Sequence, residues 1–118
     1  MGVHCRWPRR PRSVASGLLR VADEAGGLIG FGHGSEVLSD GLAVIPAGER
    51  YLDVDALYVR ADRRRAGLGG LILDELRALA RADGIERAFV FTAAKDQHAI
   101  MRFYERHGLR PWGMQFFI

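Results

Sequence analysis

The chain has 118 residues, 48% of them hydrophobic, enough for one domain with a modest core and too few for a second. Its apolar runs fall far short of a bilayer span and its single cysteine, Cys5, excludes an internal disulfide, so neither an integral membrane protein nor a disulfide scaffold fits, and a reducing cytoplasm is the expected location. The pI is near 9.6, but the formal charge is only +3 and the basic residues fall largely in two local clusters, which argues against a nucleic-acid partner.

Residues 1–16 hold the first cluster, Arg6 to Arg12, interrupted by Pro8 and Pro11, and read as a flexible tail ahead of a domain over 17–118. Arg6 stands where a myristoylation signal needs Ser or Thr, and no uninterrupted apolar stretch follows RRPRS, so neither a lipid anchor nor export is expected. Leu18 to Ala22 and Leu28 to Gly32 form a predicted hairpin with Glu24 to Gly27 as its turn. From Gly34 to Arg50 the glycines, Pro46 and scattered charges suggest a long connection with room for a short strand in LAVIP.

Tyr51 to Val59 alternates as a strand, with Leu52, Val54, Ala56 and Tyr58 on one face and Asp53, Asp55, Leu57 and Val59 on the other. The next helix starts near Leu68, buries Leu68, Leu71, Ile72, Leu76, Leu79 and Ala80, and stops at Gly84. Ala88 to Thr92 is a short apolar run, as expected of a strand covered on both faces. A second helix is capped at or near Asp96, carries Ile100, Phe103, Tyr104 and His107 on one face and stops at Gly108. Leu109 to Ile118 completes the pattern with one or two strands, so that the elements run β-β-β-α-β-α-β, an α/β (α+β) domain with a mixed sheet flanked by helices.

Between strand and helix lies RRRAGLGG, Arg63 to Gly70, the second basic cluster. Glycines let backbone N–H groups converge on an anion at a helix start, and arginines supply permanent charge and forked donors. A Walker loop needs Lys and Ser or Thr where Leu71 and Ile72 stand. A dinucleotide fingerprint would need its third glycine at Ile72 and an acid after the next strand, where Thr92-Ala93-Ala94 is found.

Arg64, Gly67 and Gly69 match Arg/Gln-x-x-Gly-x-Gly/Ala, and with LDVDALYV before them and HAIMRFYERHGL after them the chain resembles the GNAT superfamily of N-acetyltransferases, apparently as a short member reduced at its amino-terminal end. The resemblance covers roughly the last two thirds of the chain. It implies a mainly antiparallel mixed sheet and acetyl-coenzyme A as co-substrate, with the pyrophosphate held by Arg63, Arg64, Arg65, Ala66, Gly67, Leu68, Gly69 and Gly70. The pantetheine arm would lie along Leu57, Tyr58 and Val59, with a backbone N–H polarising the thioester carbonyl, and Gln97 would stand where the family often has a coenzyme-contacting asparagine. Tyr104 would face the sulfur as the acid, although a packed core aromatic would show the same helical spacing. Asp53 and Asp55, alternate on a strand with side chains roughly 6 to 7 Å apart, are candidate bases whose repulsion would raise a pKa; the same pair could equally be solvated or serve nearby arginines.

No metal site is expected. His98 and His107 are nine residues apart on one helix and point to nearly opposite sides, while His4 and His33 lie in the tail and at a hairpin end. Cys5 has no neighbouring nucleophile signature. In the family a strand and two helices precede the hairpin and help to shape the acceptor pocket, whereas only the tail stands there in this chain. The expectation is therefore an enzyme acetylating a primary amine in a ternary complex, as a homodimer whose partner covers exposed sheet, with the amine unnamed. The alternative is a non-catalytic coenzyme-A-binding or assembly module.

Overall fold

A computed structural model of the protein describes residues 4–6, 17–92, 95–114 and 116–118. Five strands form one sheet in chain order: β1 (His4–Arg6), β2 (Gly17–Glu24), β3 (Gly27–Leu38), β4 (Arg50–Val59) and β5 (Arg87–Val90). Every neighbouring pair is antiparallel except β4 and β5, which run parallel because helix α1 (Leu68–Ala82) carries the chain back between them. Helix α2 (Gln97–Arg106) follows β5. The mixed, mainly antiparallel sheet and the succession of strands and helices up to α2 agree with the sequence reading.

β3 continues six residues beyond the predicted end at Gly32, to Leu38. Gly34, which suggested a loop, is a strand residue, and a Cβ built on it would lie 2.6 Å from Leu52 Cδ1. A Cβ built on Gly32 would lie 2.6 Å from Ile72 Cγ2 and 2.8 Å from Leu76 Cδ1, so only a residue without a side chain lets α1 approach the sheet. LAVIP forms no strand, only an isolated bridge between Leu42 and Ile45. Buried Ser39 organises this loop by donating its hydroxyl to the Ile45 carbonyl at 2.8 Å and accepting from the Gly41 N–H at 3.1 Å.

Alternation along β4 breaks at Asp55. His33 pairs with Ala56 and Gly34 with Val54, leaving Asp55 as an extra residue on β4. Leu52 and Val54 face α1 before this bulge, and Leu57 and Val59 pack against the helix-side clusters after it. The predicted grouping of Leu57 and Val59 with Asp53 is thus corrected: one inserted residue exchanges the two faces.

α1 buries Leu68, Ile72, Leu73, Leu76 and Ala80. Leu71, predicted to be buried, is exposed, because at 3.6 residues per turn it lies about 140° from Leu76 around the helix. α2 packs beside α1 on the same side of the sheet, with Phe103 and Tyr104 against the core cluster of Leu18, Leu52, Val54, Leu73, Leu76, Ala80 and Ile85. Asp96 caps α2 as predicted, its Oδ1 accepting from the Ala99 N–H at 3.0 Å.

Three further boundaries differ. β5 ends at Val90, two residues before the predicted Thr92; Ala88 and Val90 pack against the helix-side core, and Phe89 on the other face meets the Tyr51 and Trp112 rings. His4–Arg6, within the stretch read as a tail, pairs with Val21–Asp23; residues 7–16 lie outside the described part. The terminal strand predicted for Leu109 to Ile118 is absent from residues 109–114 and 116–118, and Met114 and Phe116 to Ile118 are exposed; Gln115 lies outside the described residues.

Candidate active site

Two features meet at the carboxyl-terminal end of β4. The first is a split in the sheet. β5 accompanies β4 only from Tyr51 to Val54, whereas β3 pairs with β4 as far as Val59. Beyond Val54 the β5-side edge of β4 carries no strand among the described residues, and its peptide groups are available to an extended ligand in the way an edge strand is.

The second is the loop that leaves that open edge. Arg60 donates its N–H to the Ile29 carbonyl at 2.8 Å, a single 3-10 turn covers Ala61–Arg63, and Arg65 and Gly67 then take left-handed conformations at φ 66° and 82°. Gly67 is the amino-terminal cap of α1, with no side-chain hydrogen bond to the helix. The N–H groups of Leu68, Gly69 and Gly70, in the first turn, therefore point out of the helix without carbonyl partners in it, at the positive end of its dipole. A Cβ on Gly67 would meet nothing within 4 Å, so the space in front of this turn is open.

The arginines divide. Arg63 is tied to Glu24 of β2 at 2.7 Å, and Arg64 donates its Nε to the Val59 carbonyl at 2.9 Å, bracing the loop against the sheet. Arg60 forks onto Asp62 at 2.6 and 2.9 Å and holds that carboxyl below its usual range, chiefly through these hydrogen bonds. Among the described residues Arg65 forms neither an ion pair nor a side-chain hydrogen bond, which makes it the loop arginine with its guanidinium uncommitted.

Gly69 and Gly70 have a further purpose. A Cβ on Gly70 would lie 2.4 Å from His107 Cε1, and one on Gly69 would lie 3.4 Å from the Phe103 ring. These two glycines let α2 lie against the start of α1, which brings the helix bearing Tyr104 next to the loop. The Tyr104 ring packs edge-on to Phe103, centroids 5.0 Å apart, and burial raises its phenol above the ordinary tyrosine value, so it is protonated at neutral pH. Gln97, the first residue of α2, is exposed.

Asp53 and Asp55 lie on the face away from both helices. Burial, and secondly the Asp55 charge, raise the Asp53 carboxyl above the usual range. Asp55 is already engaged: its Oδ2 accepts from the Ser35 hydroxyl at 2.7 Å and stands 3.1 Å from His33 Nδ1. His33 and Ser35 were missed in the sequence because His33 was read as a hairpin end and Ser35 as part of the connection after it. The alternation of glycine with bulkier residues in GFGHGS was the signal that could have found them, marking one strand face as bare for packing and the other as the one that bears side chains.

Among the described residues no group of three or more His, Cys, Asp or Glu side chains is placed to hold a metal ion, and no helix is long and apolar enough to cross a membrane. No curated protein matches the chain. Solved structures do. It superposes on glucosamine-6-phosphate N-acetyltransferase from Arabidopsis thaliana with a TM-score of 0.75 at 12% identity, covering 100% of this chain and 98% of that one. An aminoglycoside acetyltransferase from an uncultured soil metagenomic sample gives 0.72 at 21% identity, over 93% of this chain and 75% of the other. AAC(6')-Iy in complex with the bisubstrate analogue CoA-S-monomethyl-acetylneamine gives 0.74 at 12%, over 99% and 95%. At these identities the likeness is one of fold. The sequence profile of the Acetyltransferase (GNAT) family matches residues 3–109, which contain the split strand and the glycine loop alike, and the protein therefore belongs to the GNAT acetyltransferases.

Proposed function

We propose that this N-acetyltransferase moves the acetyl group of acetyl-coenzyme A to a primary amine by direct attack within a ternary complex. One observation carries the reading: β4 loses its β5 partner after Val54, continues to Val59, and runs straight into a loop whose free N–H groups open on empty space. An extended arm ending in a pyrophosphate needs that combination, a strand edge followed by an anion cradle.

In this arrangement the N–H groups around Gly67 to Gly70 and the Arg65 guanidinium hold the pyrophosphate, while Arg63 and Arg64 keep the loop in shape. The open edge at Leu57 to Val59 holds the arm, and a backbone N–H there polarises the thioester carbonyl. Tyr104, protonated at neutral pH, is the proton donor to the departing thiolate from the helix side. Exposed Gln97 is available for a further contact with the coenzyme. An amine reaches the thioester from the opposite face, where Asp53 and Asp55 add negative charge that favours a cationic acceptor.

The test is thermal. Acetyl-coenzyme A raises the melting temperature of the wild type, and Gly67→Glu abolishes the shift by placing a carboxylate in the cradle without touching α2. Unchanged melting at millimolar ligand defeats the reading. Exposed Trp112, Met114 and Phe116 to Ile118 support the homodimer as well, since a patch of such side chains is stable in water when another surface takes it up.

A further inference from the structure

On the face of the sheet opposite the helices, the bulge turns Asp55 toward β3, where its Oδ2 receives the Ser35 hydroxyl at 2.7 Å and stands 3.1 Å from His33 Nδ1. We propose that His33 is the general base for the acceptor amine, with Asp55 and Ser35 as the residues that position it.

Three observations carry this. First, His33 is directly across from Ala56, the second β4 residue after β5 has departed, so it is one strand from the open edge, about 5 Å in the plane of the sheet. Only the methyl group of Ala56 intervenes in that row, which leaves room for a substrate nitrogen between the imidazole and the edge. Second, among the described residues the imidazole is addressed on one side alone. A carboxylate near Nδ1 keeps the proton there and leaves the Nε2 lone pair outward, and a His33 side chain 40% exposed can be reached by a substrate. Third, Asp55 Oδ2 is engaged by the Ser35 hydroxyl and faces His33 Nδ1, so the carboxylate orients the ring instead of meeting the amine itself. Of the charged groups facing His33 on this surface, Asp55 is in contact and Asp53 lies beyond it on β4; β2 contributes Leu19 opposite and no charge in that register.

The proton balance closes with these residues. The acceptor arrives as an ammonium, and Nε2 of His33 takes one proton and later releases it to solvent. The freed lone pair attacks the thioester carbonyl carbon, forming the C–N bond. Collapse breaks the C–S bond, with the electron pair leaving on sulfur, and Tyr104 protonates the thiolate. The second proton shed by the new amide nitrogen restores the phenol through water. The base and the acid thus act from opposite faces of the sheet through the gap between β4 and β5.

This assignment rests on the donor site proposed above, and the experiment separates the two. Acetyl-coenzyme A binding is measured by thermal shift, and thiol release is followed against pH with sisomicin and glucosamine 6-phosphate as probe amines. His33→Gln is expected to keep the acetyl-coenzyme A shift, lower kcat on the order of 10²-fold or more and remove the acidic limb of the rate profile. Asp55→Asn, which keeps the shape of the side chain, is expected to lower kcat without weakening coenzyme binding. A His33→Gln enzyme with wild-type kcat and an unaltered profile would overturn the proposal while leaving the donor site standing. Nitrogen-15 NMR of the free protein supplies an answer that needs no turnover: a neutral His33 protonated at Nδ1 supports the assignment, and one protonated at Nε2 refutes it.

Discussion

Single residues here divide between packing and conformation, and substitution separates the two. Gly67 is glycine because its φ is 82°, with open space around it, so Gly67→Ala costs about 1 kcal/mol of backbone strain. Gly70 is glycine because a methyl would overlap the His107 ring, so Gly70→Ala costs about 1–3 kcal/mol of overpacking. Urea denaturation should therefore rank Gly70→Ala as the more damaging, and the reverse order would refute the packing role. Asp53 gives a test by pH. Its folded pKa is raised, chiefly by burial, so its ionisation opposes folding: the penalty is absent at pH values below the unfolded pKa and grows as pH rises through the folded one. Asp53→Asn is accordingly expected to melt higher than wild type at pH 7 and to lose that advantage in acid; an advantage that persists in acid would mean that the carboxylate charge is not its cause.

Among the elements, β4 joins the two halves of the site, since its bulge sets which side chains face the helices and its unpartnered end leads into the loop. Periodicity showed that a strand was there, but an inserted residue is silent in one sequence, because a bulge is defined by what the neighbouring strand does. Asp96 was legible because its cap is a local contact, a side-chain oxygen accepting from an N–H three residues on. Asp96→Ala should lower stability by about 1 kcal/mol and loosen α2, with faster amide exchange in its first turn than in α1. Equal protection of both helices in the variant would show that tertiary packing, not the cap, holds the start of α2.

In the whole molecule, among the described residues, α1, α2 and the buried core occupy one side of the sheet, and the other side carries His33, Asp53, Asp55, Tyr58 and Phe31 with no described helix over them. Light scattering at micromolar concentration should return the mass of a dimer; a monomer would count against a second copy taking up the exposed apolar residues. The sequence by itself determined the parts whose cause is local: the succession of strands and helices, the cap at Asp96, and the glycine loop with Arg64, Gly67 and Gly69, whose conformational needs are written in residue types. Only the tertiary structure decided which face each β4 residue presents, that Arg63 and Arg64 brace the loop, that Gly32 and Gly70 exist for helix packing, and that His33 stands beside Asp55. Those are relations between residues distant in the chain, and the register that creates them is set by packing across strands, which the order of residues along one strand does not contain.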